Sequence, residues 1–249
     1  MKILIHGSTG RMGKILCDLL TAGYNGLELA ARVSPEETAD PANCIYTSLE
    51  EVTCDVDGVI DFSHHTAIGG LMDFCTRKNL PVVVATTGHT AEEKAIIAEA
   101  AKKIPVFFSA NMSIGVALLA ELAKKAASVF PDANIEIVEK HHNQKLDVPS
   151  GTALLLAHRI QEALTDTVLL VGRHENGKRT AKEIGIHSLR LGNVVGTHEI
   201  IIATGAETIT LKHEAHDRML FAEGAVAAAE YLAGQPAGLY NMETMLEGN

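Results

Sequence analysis

The sequence predicts an α/β protein in which a doubly wound parallel sheet is followed by a second, α+β domain built on a mixed or antiparallel sheet. Residues 1–112 alternate short apolar runs with helical segments, as do parallel strands that helices cover on both faces. Beyond residue 112 the strand-like runs cluster and short turns separate them. We therefore expect a first domain over 1–112, joined by C-terminal residues 222–249, and a second domain over 113–221.

The first domain has five expected strands and three intervening helices. Each strand is short and apolar, and the first helix carries its leucines on one face, at a spacing of three to four residues. The strands are Lys2–His6, Leu27–Val33, Gly58–Phe62, Pro81–Ala85 and Pro105–Phe108, and the helices are Lys14–Ala22, 67–78 and 91–103.

The second domain begins with a long helix and ends with clustered strands. The expected order is helix Ile114–Val129, strand Asn134–Lys140, helix Ala153–Ala163, and strands Ile184–Leu191, Val194–Ala203 and Thr208–His213. Short turns join the last three strands, which predicts an antiparallel meander. A final helix over Leu220–Leu232 leads to a tail that we expect to pack on the first domain.

Composition narrows the classes of function. A net charge of −10 over 249 residues, with no basic stripe, argues against nucleic acid as a partner. The sequence has no run of about 18 apolar residues, so no membrane span is predicted. The first residues lead directly into a strand without the layout of a signal peptide, so a cytoplasmic location is expected. The four cysteines lack Cys-x-x-Cys spacing and are interpreted as reduced, buried thiols.

Three glycines between the first strand and the first helix predict a dinucleotide site. Gly7, Gly10 and Gly13 stand where a Rossmann-like fold needs a tight turn and backbone N–H groups that face a pyrophosphate. The alternative is a turn whose glycines serve packing alone. The second strand ends in Ala31 and Arg32 without an acid, which favours NADPH or the use of both nicotinamide cofactors. An ordinary solvated arginine is the alternative at Arg32.

Three further strand ends should line the same crevice, because ligands of such sheets lie beyond the carboxyl ends of the strands. Small, hydroxyl and amide side chains at these ends suit the ribose and carboxamide of a nicotinamide. The segments are Asp61–His65, Ala85–Gly88 and Ser109–Ser113.

The stretch from Glu139 to Thr152 concentrates the candidate substrate chemistry. It places His141, His142 and Lys145 before a Pro-Ser-Gly-Thr turn that opens a helix. Such a cluster can bind and protonate an anion. Adjacent residues at a strand end point to opposite sides, so the two histidines should have separate roles. The alternative is a solvated loop of unrelated polar residues. No metal site is predicted, since the spacing of metal-ligating pairs is missing.

Motifs along nearly the whole chain resemble the dihydrodipicolinate reductase family of bacterial lysine and diaminopimelate biosynthesis. They are Gly7-Ser-Thr-Gly-Arg-Met-Gly13, Val59-Ile-Asp-Phe-Ser63, Thr86-Thr-Gly88, Asn111-Met-Ser-x-Gly115, Glu139-x-His-His-x-x-Lys145-x-Asp147-x-Pro-Ser-Gly-Thr152, Arg190-x-Gly192-x-Val194-x-Gly196-x-His198, His213-x-Ala215-x-x-Arg218, Phe221-Ala-x-Gly224-Ala and Gly238-Leu-Tyr-x-Met242. The resemblance implies hydride transfer from NADPH or NADH to a cyclic dicarboxylate, and a homotetramer assembled through the sheet of the second domain.

The resemblance also implies roles for particular residues. His141 would be the general acid or base and Lys145 its partner as proton donor. Substrate carboxylates would be bound by His142, Ser150, Gly151 and Thr152. The cofactor would be held by Gly7, Ser8, Thr9, Gly10, Arg11, Met12, Arg32, Ala85, Thr86, Thr87, Ser109, Ala110, Asn111 and Met112. For the other histidines, namely His64, His65, His187, His198, His213 and His216, surface or structural roles are expected.

This sequence departs from the family pattern at the end of the second strand, where many members carry an acid and this chain has Ala31. Two other functions compete with the reductase. A non-catalytic NAD(P)-binding sensor would use the glycine turn but leaves the stretch from Glu139 to Thr152 without a purpose. A semialdehyde or homoserine-type dehydrogenase would lack the double histidine in this setting.

Overall fold

The computed structural model describes residues 1–248, which divide into two compact units. The first unit comprises Met1–Met112 and the chain from Met219 onwards, and the second is Ser113–Arg218. The chain returns to the first unit three residues before the expected position, because the last long helix begins at Met219. Within residues 1–248, helices are too short or too polar to cross a membrane.

The two units contain twelve strands and seven α-helices among the described residues. The strands are β1 Lys2–His6, β2 Glu28–Val33, β3 Ile45–Tyr46, β4 Gly58–Asp61, β5 Val82–Val84, β6 Pro105–Phe108, β7 Asn134–His141, β8 Val168–Val171, β9 Glu183–Arg190, β10 Gly196–Ala203, β11 Thr208–Ala215 and β12 Gly238–Tyr240. The α-helices are α1 Arg11–Thr21, α2 Ile68–Lys78, α3 Ala91–Ala101, α4 Ile114–Val129, α5 Gly151–Ala163, α6 Met219–Leu232 and α7 Met242–Glu247.

The first unit is a seven-stranded sheet in the order β12-β6-β5-β4-β1-β2-β3. Its neighbouring strands all pair in parallel, as the apolar runs predict. Helix α1 packs with α6, and α2 packs with α3. Val82, Val83 and Val84 are fully buried because β5 is covered on both faces. The doubly wound sheet is thereby confirmed, with β12 added beyond β6.

The second unit is a five-stranded mixed sheet in the order β11-β10-β7-β9-β8. Helices α4 and α5 pack on the face that carries Ile135 and Ile137. The mixed sheet matches the predicted α+β class, but the predicted meander is wrong in one respect. Strands β9 and β10 are not neighbours, because β7 lies between them, parallel to β9 and antiparallel to β10.

The connection between β9 and β10 explains the difference. The connection over residues 191–195 is long enough to cross the carboxyl end of β7. It forms backbone hydrogen bonds with the residues at that end. Leu191 N–H donates to the His141 carbonyl at 2.9 Å, and Asn143 N–H donates to the Gly192 carbonyl at 3.2 Å. The crossing places β9 and β10 on either side of His141.

The glycine turn of the first unit generates a stability prediction. A Cβ added at Gly13 would lie 2.1 Å from the Gly7 carbonyl oxygen, whereas one added at Gly70, an exposed position on α2, meets no atom within 4 Å. We expect Gly13→Ala to lower the free energy of unfolding by about 1–3 kcal/mol through overpacking. The matched variant Gly70→Ala should raise it by roughly 0.5 kcal/mol. Urea unfolding measures both, and equal effects would contradict the close approach.

Candidate functional site

The turn between β1 and α1 is shaped to admit an anion. Gly7 has a φ of +83°, and a Cβ there would lie 2.6 Å from the Phe62 carbonyl oxygen. Gly10 caps α1 without a side-chain hydrogen bond. The first N–H groups of a helix have no carbonyl partner within it and carry the positive end of the helix dipole. This backbone fits the pyrophosphate of a dinucleotide.

A buried carboxylate ties three strand ends of the first unit together. Asp61, at the end of β4, is 1% exposed. His6 Nδ1 lies 2.8 Å from Asp61 Oδ1. The Ser63 hydroxyl donates to the same oxygen at 2.6 Å, and the Thr86 hydroxyl donates to Oδ2 at 2.6 Å. Asp61 therefore fixes the ends of β1, β4 and β5, where the sequence places the cofactor crevice.

A cavity of about 300 Å³ opens at these strand ends and is lined by residues 62–65 and 85–87. Thr87 is exposed in it, whereas the Thr86 hydroxyl is committed to Asp61. At the end of β6, the Ser109 hydroxyl donates to the Asn111 carbonyl at 2.7 Å. Met112 is 2% exposed and is therefore buried in the first unit.

The carboxyl end of β7 is organised by Glu139, whose side chain is fully buried. Arg190 forms a bidentate ion pair with the Glu139 carboxylate. Its Nη1 donates to Oε2 at 2.9 Å, and its Nη2 donates to Oε1 at 2.8 Å. His141 Nδ1 lies 2.5 Å from Oε2. The Ser150 N–H donates to Oε1 at 3.3 Å. The Glu139 carboxylate thus contacts Arg190 on the neighbouring strand, the candidate proton donor His141 and the backbone of Ser150 before α5.

These contacts, together with burial, determine the charge states of Glu139 and His141. Burial alone raises the pKa of Glu139, but the hydrogen bonds from Arg190 and His141 outweigh it and hold that pKa at about 2. Burial lowers the pKa of His141 below its ordinary 6.5, and the nearby Glu139 opposes this only in part. At neutral pH the site therefore contains an ionised Glu139 and a neutral His141.

The hydrogen bond to Glu139 also selects the tautomer of His141. An ionised carboxylate can only accept, so the proton of the neutral ring lies on Nδ1 and Nε2 carries the lone pair. A Cβ added at Gly196 would lie 3.2 Å from Nε2. The missing side chain at Gly196 therefore leaves space beside Nε2 of His141.

The other predicted substrate residues surround this strand end. Lys145 Nζ lies 2.8 Å from Asp147 Oδ1, and Arg190 Nη2 donates to the Asp147 carbonyl at 2.7 Å. Helix α5 begins at Gly151, two residues earlier than predicted, because Ser150 caps it by accepting from the Ala153 N–H at 3.2 Å. The N–H groups of Gly151 and Thr152 thus belong to the first helical turn, which suits a carboxylate.

Two models of one protein family together match nearly the whole chain. The model described as "Dihydrodipicolinate reductase, N-terminus" matches residues 1–112, and the model for the C-terminus matches residues 115–246. The chain belongs to the dihydrodipicolinate reductase family. It is therefore an NAD(P)H-dependent oxidoreductase, and the dinucleotide-binding unit is the N-terminal one.

Individual relatives agree along the whole chain. The 4-hydroxy-tetrahydrodipicolinate reductase of Caldanaerobacter subterraneus is 43% identical, covering 99% of this chain and 98% of the relative. That of Clostridium tetani is 41% identical, with coverages of 99% and 97%. The dipicolinate-bound dihydrodipicolinate reductase of Paenisporosarcina sp. TG-14 superposes with a TM-score of 0.81 at 25% identity, covering 97% of each chain.

Two residues that organise this candidate site, Glu139 and Arg190, were assigned no role from the sequence. In the sequence Glu139 stands out only as part of a motif, although Ile135, Ile137, Glu139 and His141 alternate on the buried face of β7. An acid on the core face of a strand must be paired, so the alternation was an available signal for a partner. Arg190 supplies that partner from β9, and the register between strands was not visible in the sequence.

A surface or structural role was expected for His198, but its position beside His141 was not. It is 4% exposed, its ring lies edge-on to His141 with 5.2 Å between centroids, and its Nε2 is 3.1 Å from Ser150 Oγ. Burial lowers the pKa of His198 to about 3, so the ring is neutral. We interpret His198 as a support for Ser150, and through it for the start of α5.

The Glu139–Arg190 pair generates a stability prediction. Glu139→Gln removes the charge that compensates a largely buried guanidinium, so we expect the free energy of unfolding at pH 7 to fall by about 3–5 kcal/mol. Because the pKa of Glu139 is depressed in the folded protein, its stabilisation is present above pH 4.5 and is lost as pH falls towards 2. The difference between wild type and variant should shrink over that window.

Urea unfolding at a series of pH values measures this difference. Glu207→Gln, at an exposed turn between β10 and β11, is the matched control and should change stability by less than about 0.5 kcal/mol. A similar effect of both substitutions, or no pH dependence at Glu139, would contradict the assigned ion pair.

Proposed function

We propose that this protein reduces 4-hydroxy-tetrahydrodipicolinate to tetrahydrodipicolinate with a hydride from NADPH or NADH, in the biosynthesis of diaminopimelate and lysine. The observation that carries the proposal is the orientation of His141 by the buried Glu139, beside the first turn of α5. It is supported by relatives above 40% identity that are named for this reaction over nearly their full length.

The chemistry needs a hydride, a proton and two anion sites. Loss of water from the 4-hydroxy compound gives a conjugated cyclic imine with two carboxylates. Its reduction adds a hydride to carbon, and a proton is added as the resulting enamine is resolved. Bound NAD(P)H supplies the hydride. The protein must therefore hold the two carboxylates and deliver the proton.

His141 suits the delivery of the proton. It is neutral in the free protein because burial disfavours the cation. A dicarboxylate beside the ring favours the protonated form, since an opposite charge raises the pKa of a histidine. Substrate binding would thus bring a proton to Nε2, while Glu139 holds Nδ1 and stabilises the imidazolium. We assign His141 the role of general acid and base on these grounds.

The remaining residues of the proposed substrate site supply a positive charge, bind the carboxylates or position their neighbours. Lys145 is assigned as the second cation and partner proton donor, with Asp147 holding its ammonium group. His142, Gly151 and Thr152 are assigned to the substrate carboxylates. Ser150 is assigned a positioning role beside them, because its N–H donates to Glu139 and its hydroxyl contacts His198 and the Ala153 N–H.

The proposed cofactor contacts lie on the first unit. The turn over residues 7–12 would hold the pyrophosphate, and the second strand would end near the adenosine at Arg32. Segments 85–87 and 109–112 would contact the nicotinamide end, Thr86 being oriented there by Asp61. These roles follow from the strand ends at which ligands of doubly wound sheets bind.

Substitution of the proton-delivering residues tests the proposal. His141→Gln and Lys145→Ala should each lower kcat at least about 10²-fold, because both remove a proton donor but leave the glycine turn intact. The rate of NADPH or NADH oxidation is measured with substrate generated by the preceding synthase. Binding of the reduced cofactor, followed by fluorescence, should be unchanged.

The matched control is His158→Gln, which changes an exposed histidine on α5. Turnover near the wild-type level in both site variants would refute the assigned roles. Absence of turnover in the wild-type protein, with cofactor binding retained, would refute the reaction itself.

We also propose a homotetramer assembled through the sheet of the second unit, and a cytoplasmic location. Helices α4 and α5 pack on one face of that sheet. The opposite face presents Val138 and Ile201 half-buried and Leu189 40% exposed, which suits contact with another copy. All four cysteines are free thiols, as a reducing compartment maintains them.

Light scattering after size exclusion tests the assembly. The wild-type protein should have four times the 26.5 kDa mass of one chain. Ile201→Lys places a charge in the proposed interface and should yield smaller species, because an unpaired buried charge is costly. Val129→Lys, at the exposed end of α4, is the control and should leave the mass unchanged. A monomeric wild-type protein would exclude the tetramer.

A further inference from the structure

The loop after β2 closes onto the glycine turn. Val33, the last residue of β2, accepts from the Gly7 N–H at 2.8 Å through its carbonyl. The Thr9 and Ser34 hydroxyls share a hydrogen bond of 2.7 Å. The Ser8 hydroxyl donates to Glu37 Oε1, also at 2.7 Å. The loop is thereby held at the place where a doubly wound sheet receives the adenosine ribose of a dinucleotide.

Glu37 faces Arg32 across this place. Its second oxygen, Oε2, lies 3.4 Å from Arg32 Nη2. The Glu37 side chain is 12% exposed, and that of Arg32 is 37% exposed. Glu37 is therefore a partly desolvated acid held by Ser8, whereas Arg32 is a more exposed cation whose charge Glu37 already neutralises. The sequence showed Arg32 at the strand end but gave no sign that an acid five residues later would reach it.

An acid and an arginine at this place have opposite effects on cofactor choice. A carboxylate accepts a hydrogen bond from the ribose 2′-hydroxyl, whereas an arginine accommodates a 2′-phosphate. A phosphate here would have to draw Arg32 away from Glu37 and then lie beside the remaining carboxylate. Like charges so close repel one another, and the overall charge of −10 adds to the repulsion.

We propose that Glu37 sets the cofactor preference of this reductase, accepting a hydrogen bond from the adenosine 2′-hydroxyl and so favouring NADH over NADPH. The proposal rests on the proposed function only in taking NAD(P)H as the ligand. Glu37 is a specificity-determining residue in it, and Arg32 is the cation that Glu37 withholds from a 2′-phosphate.

Direct titration of the whole protein with NADH and with NADPH, in the absence of substrate, tests the proposal. Fluorescence of the bound reduced nicotinamide gives each Kd. The wild type should bind NADH at least about tenfold more tightly than NADPH. Glu37→Gln keeps the shape but removes the charge, and should shift the ratio at least about tenfold towards NADPH.

Three further variants complete the design. Glu36→Gln alters the exposed neighbour and should leave the ratio unchanged. Arg32→Ala should weaken NADPH binding in the Glu37→Gln background. Glu37→Asp keeps the charge and should retain the preference for NADH even where Glu37→Gln proves unstable by circular dichroism.

A wild-type protein that binds NADPH as tightly as NADH overturns the proposal. So does a ratio unchanged by Glu37→Gln, or a preference lost in Glu37→Asp. Failure of the proposed reaction would be distinguishable, because it would abolish turnover while the two binding constants, and their dependence on Glu37, persisted.

Discussion

The interaction on which the second unit depends is the buried ion pair between Glu139 and Arg190. A carboxylate without exposed surface is tolerated only when paired and hydrogen-bonded, and Glu139 satisfies both of its oxygens. The contacts that keep it ionised also orient His141 and draw the start of α5 towards β7. The acid whose burial requires a charged partner is thus also the residue that orients the candidate proton donor.

The first unit uses a comparable arrangement. Asp61 is buried at the end of β4 and gathers hydrogen bonds from the ends of β1 and β5. In each unit, then, one acid at a strand end organises the polar residues around a candidate ligand site. Rigid strands hold the site more firmly than loops could, since the backbone of each strand is already fixed by its neighbours.

Most elements with a regular residue pattern were predicted from the sequence. Apolar runs gave the parallel strands β1, β2, β4, β5 and β6, and the glycine spacing located the turn before α1. The sequence did not predict β3, β8 or β12, which are two to four residues long and carry too little periodicity. The meander over β9 and β10 failed for another reason: strand order depends on which edges pair, and a five-residue connection permits a crossing as well as a hairpin.

By itself the sequence determined the fold class and the family and indicated the candidate substrate stretch, because these rest on local spacing and on residue type. Only the tertiary structure decided the partners of the charged groups. Arg190 meets Glu139 because β9 pairs with β7. His198 reaches Ser150 because β10 pairs with the opposite edge of β7. Glu37 meets Arg32 because a loop folds back onto the glycine turn. The first two contacts join residues 51 and 48 positions apart. The third depends on the path of a loop, so no local pattern encodes any of them.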